Sequence, residues 1–298
     1  MEADVEARFE PRRPLDLSLT FRLIGAGSWR RGDGDDFWHA TRTPEGPATM
    51  QIRKSNGSVE VRAWGQGADW AARHAPVLCG EDDDDSGFAP AHPLIASLHR
   101  QTPGMRMPRT QAVFEALVPS VLAQLVAGAE ARSSYRRLVW SLGERAPGPV
   151  ELQLPPSPQV LARMPYWTFH RFGVERRRAE VIIRAARSAN RLEEIVTMDM
   201  PSAYRRLQAF PGVGPWTAAK VAAVALGDPD AVPVGDYNLP HMVGYALEGT
   251  PRSSDERMLE LLEPYRGHRG RVIRLLMVAG IGAPRFGPRQ PLRNIENN

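Results

Sequence analysis

The segment Leu207-Gln-Ala-Phe-Pro-Gly-Val-Gly-Pro-Trp-Thr-Ala218 restricts the architecture of this chain more than any other. Within Phe210-Pro-Gly-Val-Gly214 the glycines allow a sharp main-chain turn and close approach to another molecule, and Pro215 is pre-set for the first position of a helix. A short helical stretch over 203–209, with Leu207 inward, precedes the turn. Residues 216–226 follow it, and Ala218, Ala219, Ala222 and Ala223 permit tight packing there. Two helices joined this way leave main-chain N–H groups unpaired at the start of the second, together with partial positive charge. Such an arrangement suits a phosphate and carries no preference for base sequence. An ordinary glycine-rich corner between helices has the same local pattern, so context has to decide between the two.

The context is Gly227-Asp-Pro-Asp-Ala231 and Val234-Gly-Asp-Tyr237. Asp236 stands before a helix predicted over 237–247, a place where an aspartate commonly caps the helix. Taken with the hairpin, these segments resemble the helix-hairpin-helix DNA glycosylase superfamily, and within it the alkylpurine branch. The likeness is strong over about 114–289 and weak before that.

The resemblance implies that Asp236 is catalytic, a role compatible with capping. A fixed carboxylate stabilises the positive charge that develops on the sugar as an N-glycosidic bond breaks, or orients water. The partner implied is double-stranded DNA whose damaged base is turned out into a pocket. Trp216 and Tyr237 flank the motif and would line that pocket. Tyr166, Trp167, Phe169 and His170 read first as lobe core, with Trp167 as the pocket candidate among them. Arg274 stands where the family carries a tryptophan; arginine stacks on bases but repels a cationic one.

At the hairpin Gly212, Val213, Gly214 and Thr217 are the phosphate contacts implied. Lys220, Arg269 and Arg271 would add charge, with a second basic group at Arg285, Arg289 and Arg293. Ala123-Gln-Leu-Val126 resembles the family segment that fills the vacated place in the duplex, with Gln124 and Leu125 as its contacts and Leu125 as the wedge; a core leucine is the competing reading. The family also holds a monovalent cation on main-chain carbonyls, here those of Gln208, Phe210 and Val213. Strand-nicking relatives use a lysine where this chain has Trp216, so the resemblance implies base release without lyase activity. A non-catalytic lesion-sensing DNA binder, or a glycosylase for another damaged or mismatched purine, would use the same scaffold.

Composition permits this reading without requiring it. The chain has 298 residues, a formal charge of +4 and 42% hydrophobic residues, which suits a folded protein with a substantial core and only mild basicity. Cys79 is the single cysteine, which excludes an internal disulfide and a four-cysteine iron-sulfur or zinc site. No apolar run approaches membrane-spanning length, and the N-terminal residues are charged, so the expectation is a cytoplasmic protein with no membrane partner; the resemblance implies a monomer.

The fold class expected is α+β: an N-terminal antiparallel β-sheet domain over 1–90, then a two-lobed all-α helix-hairpin-helix domain over 91–298. Residues 15–23 alternate apolar and polar and read as a strand; 37–43, 48–53 and 58–64 read likewise, with Asn56-Gly57 as a hairpin turn. Glu81-Asp-Asp-Asp-Asp85 reads as a solvated acidic loop. An apolar stripe over 113–126 interrupted by Pro119, and segments at 130–145, 175–190, 255–262 and 268–279, read as helices.

Overall fold

The computed structural model describes residues 1–24 and 28–284; Arg285, Arg289 and Arg293 lie outside the described residues. Its N-terminal part is a five-stranded antiparallel sheet made of β1 (Val5–Phe9), β2 (Trp29–Arg31), β3 (Asp36–Thr43), β4 (Gly46–Ser55) and β5 (Ser58–Trp64), in the order β1-β5-β4-β3-β2. Asn56 and Gly57 take φ of 50° and 83°, the double left-handed geometry of a two-residue hairpin, and this sets the register Ser55↔Ser58. A helix over Ala68–Leu78 covers one face, burying Met50, Ile52, Val61, Ala63, Leu78 and Cys79. Burial pushes the Cys79 thiol far above its ordinary pKa.

The alternating segment at 15–23 is not a strand. It contains α1 (Leu17–Phe21), whose first turn is capped by Asp16 accepting from Leu19 N–H at 2.8 Å, and which buries Leu17, Thr20 and Phe21. That spacing is i, i+3, i+4, so a cap and a helical face overrode the period-two pattern. The helix over Ala68–Leu78 is α2. The edge strand β1 lies in the charged N-terminal stretch, which gave no pattern in the sequence.

The rest is helical apart from the two-residue strands β6 (Glu144–Arg145) and β7 (Gln153–Leu154). One lobe comprises α4 (Val113–Leu122), α5 (Gly128–Leu142), α6 (Pro158–Arg163), α7 (Arg176–Arg187), α8 (Ala189–Glu193), α9 (Met200–Gln208) and α10 (Pro215–Val221). Its core runs through Leu117, Val121, Leu138, Ile182, Leu207 and Val221. The other lobe joins α3 (Pro93–Gln101) to α11 (Leu239–Glu248), α12 (Asp255–Leu262) and α13 (Arg269–Val278), around Ile95, Val243, Leu262 and Leu276. The hairpin closes the first lobe, and residues 227–238, which include Asp236, connect it to the second.

The acidic run is only in part a solvated loop. Asp83 is buried and accepts from both terminal nitrogens of Arg271, while Glu81 pairs with Arg106 and Asp85 with Arg13. Arginines from the N-terminal segment, the 102–112 connection and α13 converge on it, so the run holds the sheet domain to the second helical lobe. Like charges can sit together there because Glu81, Asp83 and Asp85 each meet an arginine, while Asp82 and Asp84 face solvent.

Candidate functional site

The hairpin is built by α9, the turn 209–214 and α10. Gly212 has φ 93°, and a Cβ on it would come within 2.2 Å of Val181 Cγ2 on α7, so both backbone conformation and space demand glycine. Gly214 differs on both counts. Its φ is −91°, and a Cβ would meet nothing within 4 Å. Among the described residues, the N–H groups of Gly212, Gly214, Trp216 and Thr217 have no acceptor, and Gly214, the N-cap of α10, offers no side chain to them. A ring of free donors at a helix start is a ready anion site.

Asp236 faces this helix start. Its Oδ2 accepts from Trp216 Nε1–H at 2.9 Å, and its Oδ1 accepts from the N–H groups of Asn238 and Leu239 at 2.8 and 3.1 Å. Asp236 therefore caps the entry to α11 and is tethered to the hairpin through the indole. Its carboxylate is partly exposed. Gly235, at φ 90°, makes the turn that presents it, and its N–H donates to Asp255 Oδ2 at 3.1 Å. Asp255 was not singled out by the sequence, where it reads only as the start of a helix.

Lys220 lies one turn beyond Trp216 on α10, and its Nζ stands over the indole ring, 5.1 Å from the centroid. It is half-buried rather than a solvated lysine reaching for phosphate. Burial lowers its pKa below the ordinary lysine range, and the charge of Asp236 pulls it partly back.

The segment after α4 projects Leu125, which is 87% exposed with φ 57°, an unusual conformation for a leucine. It is an exposed side chain and not part of the core stripe. Gln124 Nε2 donates to Gly212 O at 2.9 Å and to Thr217 Oγ1 at 2.8 Å, fastening this loop to the hairpin. Arg178, buried and unremarked in the sequence, donates to Leu122 O at 2.6 Å and so holds the end of α4 from below.

Several expected contacts are placed elsewhere. Arg274 is 8% exposed and its guanidinium donates to the carbonyls of Leu19 and Thr20, so it joins α13 to α1 and lines no base pocket. Arg271 is 1% exposed and spent on Asp83, while Arg269 makes a two-pronged ion pair with Asp230; neither guanidinium is free for phosphate. Thr217 is buried with its hydroxyl committed to Gln124, and the Val213 side chain is in the core, which leaves only their main chain to the surface role. Gln124 acts as a tether rather than an exposed contact.

Trp167 is 62% exposed, edge-on to Tyr166, on a 3-10 turn over Tyr166–Phe172 that packs against α5 and α7; Phe169 and Phe172 are the core members of that cluster. Tyr237 is 81% exposed beside His241. A depression of about 350 Å³ between α6 and the α7–α8 junction, with Arg163, Arg187 and Arg191 on its wall, contains none of the site residues. At the turn, the carbonyls of Gln208 and Val213 receive no N–H among the described residues, whereas that of Phe210 accepts from Val213 N–H at 2.9 Å. Among the described residues no group of three His, Cys, Asp or Glu side chains could hold a metal.

No family model matches the chain. It is 30% identical over 178 residues to DNA-3-methyladenine glycosylase 2 of Escherichia coli (strain K12), a match covering 58% of this chain and 61% of that enzyme. The chain thus spans less than two thirds of that relative's length. Among solved structures it is similar to a 3-methyladenine DNA-glycosylase from Archaeoglobus fulgidus, with TM-score 0.76, 18% identity, and 91% of this chain and 97% of that one covered. It is also similar to the Clostridium acetobutylicum 8-oxoguanine glycosylase/lyase in complex with double-stranded DNA, with TM-score 0.70, 15% identity, and 94% and 98% covered. At these identities the structural likeness shows the fold. In this fold an aspartate is tethered to the start of the second hairpin helix. The chain resembles the helix-hairpin-helix DNA glycosylases in fold, and its sequence is similar to the 3-methyladenine branch.

Proposed function

We propose that this protein is a monofunctional DNA glycosylase that hydrolyses the N-glycosidic bond of alkylated purines turned out of duplex DNA. The observation that carries the reading is the Asp236 carboxylate fixed by three donors, one of them the indole of Trp216, beside the unpaired N–H groups of the hairpin. Those amides would hold a phosphate and so set the sugar's position. The carboxylate then meets a charge that exists only as the bond breaks, where a preorganised anion contributes most. Its donors keep it from swinging away and add no proton of their own to the base. Leu125, tethered through Gln124 to the same hairpin, would fill the gap left in the stack.

Base release without strand scission fits the chemistry of position 216, since an indole cannot form the imine that β-elimination needs. The two donor-free carbonyls of Gln208 and Val213 suit a monovalent cation at the turn, which would bridge to the phosphate and take no part in bond cleavage. The test is release of methylated purines from duplex oligonucleotides by wild type and Asp236→Asn. The reading expects a loss of 100-fold or more with binding retained. Binding without base release by wild type would instead make the protein a lesion sensor.

A further inference from the structure

We infer that Lys220 tempers the preference of this site for cationic alkylated bases and widens its range to neutral ones that present a hydrogen-bond acceptor. The inference rests on the glycosylase reading and refines its substrate class. Trp216 is the aromatic side chain hydrogen-bonded to the fixed carboxylate, and two of its approaches are already used. Its Nε1–H edge is bonded to Asp236 at 2.9 Å, and one face carries the Lys220 ammonium 5.1 Å from the ring centre. An indole draws a cationic base through the negative charge on its faces. Here a cation already occupies one face, so a charged base stacked on the other finds a weakened partner and a like charge across the ring.

The balance of charge points the same way. Asp236 alone would give the indole's surroundings a net negative charge, and Lys220 cancels it. Asp236 and Lys220 act on each other electrostatically without a direct ion pair among the described residues. The ammonium also has no hydrogen-bond acceptor among the described residues, although it is half-buried and carries three N–H groups. A neutral purine offering a carbonyl or ring nitrogen would supply that acceptor, whereas a base made cationic by methylation supplies charge of the wrong sign. Fixed position distinguishes this lysine from a phosphate contact: its stem lies along α10 and its head rests on the ring rather than reaching beyond the hairpin.

The experiment compares wild type, Lys220→Met and Lys220→Arg on duplexes carrying 7-methylguanine, which is cationic, or hypoxanthine, which is neutral and has a carbonyl acceptor. Methionine keeps the buried stem and removes the charge. The expected result is that Lys220→Met raises the ratio of kcat/KM for 7-methylguanine over hypoxanthine about 10-fold, while Lys220→Arg stays within about two-fold of wild type. An unchanged ratio overturns the inference. So does an equal loss on both substrates with a shallower salt dependence, which would make Lys220 a phosphate contact. A borohydride-trapped adduct abolished by Lys220→Met would also overturn it by making the amine a nucleophile. Release of neither base by wild type would fail the glycosylase reading itself, and this inference with it.

Discussion

The two glycines of the hairpin should respond oppositely to the same substitution, because one is glycine for the protein and the other for whatever the protein touches. At Gly212 an alanine would be held at φ 93° with its Cβ 2.2 Å from Val181 Cγ2. The left-handed conformation costs about 1–2 kcal/mol and the overpacking about 1–3 kcal/mol, for a total of about 2–5 kcal/mol. At about 2 °C per kcal/mol for a chain of this size, Gly212→Ala should lower Tm by about 4–10 °C. At Gly214 the backbone is one any residue adopts and the space is open, so Gly214→Ala should leave stability within about 0.5 kcal/mol of wild type. Its Cβ would instead stand where a phosphate approaches the free amides. Losing one such charge-assisted hydrogen bond costs about 1.5–3 kcal/mol, a drop in affinity of roughly 10- to 150-fold. Thermal melts and fluorescence anisotropy with a duplex at fixed salt separate the two effects. If Gly214→Ala binds as wild type does, the hairpin does not meet the backbone of DNA and the argument for a phosphate site fails.

Leu125→Gly should relieve the left-handed strain at φ 57° and raise stability by about 1 kcal/mol, yet lower base release, because the exposed wedge is gone; unchanged release from a duplex would remove Leu125 from the mechanism. Burial pushes Glu115, which accepts from Thr41 Oγ1 and Arg42 N–H, up to about 7 from an ordinary value of 4.5. The folded state therefore holds a proton that the unfolded chain releases, so this group's contribution to stability falls as pH rises from 4.5 to about 7 and is level above, a change on the order of 3 kcal/mol. Glu115→Gln should flatten that fall in denaturant titrations run across the window, and an unaltered slope would assign it to other groups.

What the sequence disclosed was local in its causes. Asn56-Gly57 and Phe210-Pro-Gly-Val-Gly214 set their own backbone through residues that tolerate few other conformations, and the cap-like position of Asp236 follows from its neighbours. Leu15 to Leu23 misled because its apolar residues satisfy two periods at once, and the choice between them fell to Asp16, a cap that alternation does not register. Lys220 was legible in part. Its spacing from Trp216 puts it on the same helical face, but whether its head lies on the ring or in solvent depends on how much of α10 the neighbouring elements cover.

The basic residues could not be read at all, and the reason bears on how this protein would hold DNA. Arg271 meets Asp83 and Arg106 meets Glu81, so the partners of two well-buried arginines sit in an acidic run that composition alone assigns to solvent. Arg269 is spent on Asp230, and Arg274 on main-chain carbonyls of α1. These arginines thus fasten one part of the protein to another, which leaves the mild net charge of +4 a poor guide to where a polyanion would lie. The hairpin supplies what they do not. Its unpaired N–H groups need no counter-charge to be kept in place, lose no side-chain freedom on meeting a phosphate, and stand beside a carboxylate that the fold keeps tethered yet partly open to solvent. Placement of the sugar would then be inherited from main-chain geometry that Gly212 and Val181 hold rigid, so the distance between phosphate and Asp236 depends on packing in α7 more than on any flexible cation.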